Sequence, residues 1–116
     1  TKVVSMKISS CQRHDHNTMP PASKTTGNYV NSSLAKAEAI KAGYDEAVML
    51  APSGLVAECS GENIFVARKG VFLTPPLSAG ALEGIDELLV VAGAKRRHDE
   101  RLGFTTREQC RTVGAR

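Results

Sequence analysis

Residues 27–50 read GNYVNSSLAKAEAIKAGYDEAVML, and two periodicities meet in them. Between Val30 and Tyr44 the apolar positions fall at Val30, Leu34, Ala37, Ile40 and Tyr44. Steps of three and four predict one buried face of an α-helix, with Lys36, Glu38 and Lys41 on the wet side. Asn31, Ser32 and Ser33 offer N-cap oxygens, and Gly43 offers a C-terminal stop. The segment EAVML (46–50) then reads as a short strand. Three residues ahead of the stretch stands a lone lysine, Lys24, which on its own reads as a solvated charge.

Working outward, TKVVSMKIS (1–9) alternates loosely and predicts a strand with Val3, Met6 and Ile8 partly buried. SCQRHDHNTMPPAS (10–23) is polar and reads as a loop, with Pro20 and Pro21 forcing extended backbone. Downstream, Pro52-Ser53-Gly54 is a turn signal between EAVML and LVAE (55–58). NIFVA (63–67) and VFLT (71–74) flank Arg68-Lys69-Gly70 as a hairpin. GALEGIDELLVVAGA (80–94) predicts a turn into a second helix starting near Asp86, with Leu88, Leu89 and Ala92 on its apolar face and Gly93 as its stop. Beyond Ala94 the periodicity collapses, and KRRHDER (95–101) is a charge run with no partner face. The order strand, loop, helix, hairpins, helix predicts an α/β (α+β) arrangement in residues 1–94, followed by a basic tail of low order at 95–116.

Composition narrows the function classes. The 116 residues are 41% hydrophobic and 23% charged, an ordinary globular balance. Aromatics make up 4% with no tryptophan, so the core is aliphatic. The net charge of +3 gathers in the last third; with only Phe104 among those basic residues, the pattern argues against nucleic acid. Three irregularly spaced cysteines, Cys11, Cys59 and Cys110, fit no disulfide framework and predict a reducing, cytoplasmic setting. No apolar run approaches membrane-spanning length. The chain begins at Thr1 rather than Met, as expected of a processed terminus or an interior piece of something longer.

Chemistry-bearing residues are sparse. Cys11, His14 and His16 could all bind zinc, but no fourth ligand follows at a usual spacing, so no metal is expected. The acidic pairs Asp45-Glu46 and Asp86-Glu87 read as turn and helix-start chemistry. Nucleophile-elbow and P-loop patterns are absent. Three features gain meaning together: Lys24 ahead of Gly27-Asn28-Tyr29, Glu58 at a strand end before CSGEN, and Gly84-Ile85 at a helix mouth, where free N–H groups favour an anion.

The segments KTTGNYVNSSLAKAEA, GYDEAVML, ECSGENIFV, TPPLS and ALEGI, in this order and spacing, resemble class IV aminotransferases, the fold-type IV enzymes that use pyridoxal 5′-phosphate. Among them the branched-chain amino acid aminotransferases are most similar, and the likeness covers about residues 4–85. SSCQR and NTMPP also resemble the family's segment ahead of its lysine. The resemblance implies that Lys24 forms the Schiff base with the cofactor and moves the proton at the substrate Cα. It implies that Glu58 pairs with the pyridine nitrogen and keeps it protonated, so that the ring accepts electrons. Tyr29 matches a tyrosine near the phenolic oxygen, Leu82 an apolar residue against the ring, and Ile85 a residue whose N–H reaches the phosphate.

The implied activity is amino-group transfer between Leu, Ile or Val and 2-oxoglutarate, by an enzyme that is a homodimer or larger. Alternatives on the same scaffold are aminodeoxychorismate lyase, D-amino acid aminotransferase and a catalytically silent truncated copy. Two departures stand out. Asp86 occupies the place of the family's phosphate-binding threonine, and the tail reads as divergent or frame-shifted. The family's smaller N-terminal domain and its later phosphate loop have no counterpart here, so the chain is expected to be a central fragment of the cofactor-binding domain and inactive alone.

Overall fold

A computed structural model describes residues 3–68, 71–82 and 96–98. Strand β1 (Met6–Ile8) leads through a long loop into helix α1 (Asn28–Lys41), which returns the chain to β2 (Glu46–Leu50). β1 and β2 pair in parallel, Lys7 opposite Ala47. Parallel neighbours need such a crossover, and α1 supplies it. β2 then turns at residues 51–55 into β3 (Val56–Cys59), antiparallel to it, with a register shift between Met49 and Leu50. Gly54 sits at φ 82° in that turn, where a side chain would be strained. β4 (Val66–Arg68) and β5 (Val71–Thr74) form the expected hairpin, Arg68 opposite Val71. A short 3-10 turn, Leu77–Ala79, follows. The last described strand, β6 (Arg96–His98), pairs in parallel with β5. Three residues of the predicted partnerless charge run therefore extend a sheet, because backbone pairing asks nothing of side-chain hydrophobicity. The predicted second helix from Asp86 lies outside the described residues.

β1 is shorter than its alternation suggests. Val3 and Ile8 are exposed, while Met6 packs against the cluster of Val48, Val56, Cys59 and Ile64. Past Ile8 the chain still runs beside β2: the Ser9 N–H donates to the Val48 carbonyl and the Arg13 N–H to the Leu50 carbonyl, at 2.9 and 2.8 Å.

Helix α1 reverses the predicted faces. Asn28, Ser32, Ala35 and Ala39 are buried, and the two alanines pack against Ala47 and Met49 of β2. Val30, Leu34, Ile40 and Tyr44 are 62%, 58%, 60% and 42% exposed. Small side chains let the helix backbone approach the sheet closely, and larger ones would hold it away. Lys36 and Glu38, assigned to the wet side, instead reach the sheet, Lys36 to Glu46 and Glu38 to Lys7. The cap also differs. Gly27 is the N-cap and offers no side chain; the N–H groups of Asn28, Tyr29 and Val30 donate to the Thr25, Thr26 and Gly27 carbonyls. The chain is already turning before Asn31, Ser32 and Ser33, so their oxygens are not needed as caps. At the other end Gly43 has φ 84°, and the Tyr44 N–H donates to the Ala39 carbonyl at 2.9 Å, the closure of a Schellman stop.

Candidate active site

The loop before α1 carries Lys24 on a tight, tied turn. The Ser23 N–H donates to the Pro20 carbonyl, and the Thr25 N–H to the Ser23 carbonyl at 2.8 Å. The Asn28 carboxamide reinforces the turn, its Nδ2 donating to the Pro20 carbonyl at 3.0 Å, the Ser23 carbonyl at 2.6 Å and Ser23 Oγ at 3.1 Å. Lys24 itself is exposed at the mouth of a pocket, where Arg13, Asn28, Tyr29, Glu58 and Leu82 are among the lining residues. Tyr29 is 44% exposed there. Of the five residues singled out from sequence, Lys24, Tyr29, Glu58 and Leu82 thus line one pocket, although 58 residues separate the first from the last. Ile85 lies outside the described residues.

Glu58 stands in β3, a strand whose four residues are all buried. A carboxylate there needs partners. Arg13 Nη2 lies 2.6 Å from its Oε1, and the Leu82 N–H donates to its Oε2 at 2.8 Å. Burial pushes the Glu58 carboxyl above its ordinary value, and the Leu82 N–H and the Arg13 charge pull against that. A guanidinium is a permanent cation in proteins. Because Arg13 too is buried, it requires the carboxylate form of its partner.

Arg13 does more than balance a charge. Its Nη1 donates to Ser32 Oγ of α1 at 3.0 Å and its Nε to the Gly80 carbonyl at 3.3 Å. Gly80 has φ 89°, and a Cβ there would lie 3.5 Å from Pro21 Cγ. One guanidinium therefore ties the loop after β1, helix α1, strand β3 and the segment leading to Leu82. Sequence reasoning did not single out Arg13 or Asn28 as site residues. The available signal was an acid inside an apolar strand, which demands a cation, but spacing alone does not say which of fifteen lysines and arginines supplies it.

Beside this site, Glu46 of β2 receives Lys36 Nζ at 2.6 Å, the Ala47 N–H at 2.7 Å, and the Ser60 hydroxyl. Burial alone would push its carboxyl up, but these donors prevail and hold it below the ordinary value. Cys11 and His16 serve other ends. Cys11 packs against the α1–β2 core, and His16 Nε2 lies 3.2 Å from the Ser78 carbonyl. Among the described residues no group of three or more His, Cys, Asp or Glu could hold a metal ion, and no helix is long and apolar enough to cross a membrane.

A buried acid braced by an arginine thus shares a pocket with a lysine on a tied turn, at the entrance of a βαβ unit. The amino-transferase class IV family model matches residues 2–108, and the chain belongs to that family. Within it the similarity runs to enzymes for branched-chain substrates. The branched-chain-amino-acid aminotransferase of Salmonella typhimurium is 40% identical over 102 residues, covering 88% of this chain and 31% of that protein. Among solved structures, the branched-chain aminotransferase of Thermoproteus uzoniensis with norvaline is 48% identical, with a TM-score of 0.72 over 78% of this chain and 31% of that one. The branched-chain amino acid aminotransferase of Thermobaculum terrenum, in its PLP-bound holo form, is 36% identical, with a TM-score of 0.75 over 84% of this chain and 34% of that one. The α/β fold is therefore that of these aminotransferases, and the chain spans about a third of their length.

Proposed function

We propose that this chain is the lysine-bearing part of a branched-chain-type aminotransferase, acting with pyridoxal 5′-phosphate in amino-group transfer between Leu, Ile or Val and 2-oxoglutarate. The observation that carries the reading is that Lys24 and Glu58 line the same pocket. The residues fit the cofactor: a primary amine, a buried carboxylate and a phenol line the pocket, with the buried Asn28 carboxamide beside them. When bound, the cofactor supplies an aldehyde that takes up amino groups and a ring that accepts electrons from the substrate Cα.

The chain's own residues do the rest. Lys24 Nζ moves the proton at the substrate Cα. Glu58 presents the negative charge that keeps the cofactor's ring nitrogen protonated, and Arg13 and the Leu82 N–H keep that carboxylate charged and still. Tyr29 has a hydroxyl to donate to the cofactor's phenolic oxygen, and Leu82 an apolar side chain to lay against the ring. Ile85 completes the proposed set on the phosphate side. As in the family resemblance, the working enzyme is a homodimer or larger.

The test is chemical. The purified chain is mixed with pyridoxal 5′-phosphate, reduced with borohydride and digested. A label concentrated on Lys24 supports the reading. A label spread evenly over Lys24, Lys36 and Lys41 reduces it to surface chemistry.

A further inference from the structure

Asn28 is 5% exposed and lines the pocket beside Lys24. The orientation of its carboxamide follows from its neighbours. Nδ2 faces the Pro20 and Ser23 carbonyls, which only accept, so a flipped amide would set oxygen against oxygen. That leaves Oδ1 on the other side, buried and without a hydrogen-bond partner among the described residues. A buried acceptor left unmade is costly, and native structures rarely keep one without a use. Of the hydroxyls that line the pocket, those of Ser23 and Ser60 donate to the Pro20 carbonyl and to Glu46, Ser32 Oγ receives Arg13, and the reading above commits that of Tyr29 to the cofactor. Arg13 is engaged by Glu58, Ser32 and Gly80. The Asn63 carboxamide donates to the Leu82 carbonyl, and Glu58 and Glu62 bring oxygens. Lys24, four residues ahead of Asn28 on the turn that Asn28 itself fastens, has an amine on a flexible stem.

Resting on the lysine reading above, we propose that Asn28 is the positioning residue for Lys24. Its Nδ2 fixes the Pro20–Ser23 turn from which the lysine springs. Its Oδ1 accepts a hydrogen bond from the ε-amine when that side chain enters the pocket. One N–H is thereby directed at the wall, and the nitrogen's remaining valences are turned toward the cavity. Asn28 touches neither substrate nor cofactor; it acts through Lys24. Besides Lys24, the charged groups among the described residues that line the same pocket are Arg13, Glu58 and Glu62, and none of these three is on α1.

The first measurement needs no cofactor. In the full 116-residue chain, with carbon-labelled lysine and asparagine, the Asn28 carboxamide carbon is followed by NMR through the titration of Lys24, which is assigned with Lys24→Arg. A carboxamide shift that moves with the Lys24 midpoint in the wild type, and is flat in Lys24→Arg, supports the bond. A carboxamide carbon that ignores the titration overturns it, whatever the cofactor does. The second measurement is the pyridoxal phosphate labelling pattern across pH. In Asn28→Ala the Lys24 share falls about three- to tenfold, the factor carried by one hydrogen bond, while Lys36 and Lys41 label as before. Unchanged Lys24 labelling in Asn28→Ala refutes the proposal. Even labelling in the wild type would sink the aminotransferase reading and leave the NMR result standing by itself.

Discussion

Arg13→Met is the most informative single change. Both members of the Arg13–Glu58 pair are almost wholly buried, with side chains 4% and 9% exposed. Removing the cation strands a carboxylate in β3 with, among the described residues, only the Leu82 N–H as donor. Breaking a buried pair from one side costs about 3–5 kcal/mol, a large share of the ~5–15 kcal/mol that holds a typical domain together. The double variant Arg13→Met/Glu58→Gln removes the stranded charge and should recover about 2–3 kcal/mol of the loss. pH gives an independent reading. Burial already raises the Glu58 carboxyl in the wild type, so the folded state binds that proton more tightly than the unfolded state. Glu58 therefore lowers stability as pH climbs from the unfolded value through the folded one. Without Arg13 the folded value climbs further, so the deficit of Arg13→Met is largest at neutral pH and shrinks in acid. Urea unfolding followed by circular dichroism at pH 7 and pH 5 measures both effects. A deficit under about 1 kcal/mol, or a double variant no more stable than Arg13→Met, would refute the assignment of Arg13 as the cation that holds the Glu58 carboxylate.

Two further outcomes follow from the helix. Lys7, then Ser9 and Ser10, hold the Glu38 carboxyl down, from 4.5 to about 2. Its contribution is present above the unfolded value and lost as pH falls through the folded one, so Glu38→Gln lowers the melting temperature at pH 7 and the gap closes between pH 4.5 and about 2. Leu34→Lys, on the exposed face, should change stability by no more than about 0.5 kcal/mol, whereas Ala39→Leu, against β2, should cost about 1–3 kcal/mol; denaturation of both in parallel checks the assignment of faces.

The turn and strand signals of residues 43–74 were legible because they are local. Gly54 and Gly43 need their backbone angles whatever surrounds them, and alternating β-branched and apolar residues pair with what comes next. The order of short motifs carried the family resemblance, and the resemblance grouped Lys24, Tyr29, Glu58 and Leu82, four residues that line one pocket. The burial of α1 was not legible. Helical spacing locates a stripe of Val30, Leu34 and Ile40, but which stripe faces the sheet depends on the gap that β2 leaves, and Ala47 and Met49 leave room for alanines. Arg13 was hidden for a related reason: its three partners lie 19, 45 and 67 residues away in sequence, and no window-based pattern reaches that far.

The bond from Arg13 to the Gly80 carbonyl also sets a timetable for synthesis. On a ribosome, β1, α1, β2 and β3 can associate as soon as residue 59 has emerged. The oxygen that fixes the guanidinium and the N–H that completes the carboxylate arrive only with residues 80 and 82. Contacts of such long separation form late, because closing the intervening loop must come first. A nascent polypeptide arrested near residue 75 would thus hold a formed sheet around an ion pair still lacking two of its anchors, and chaperone capture or proteolysis of stalled chains should fall sharply once that point is passed.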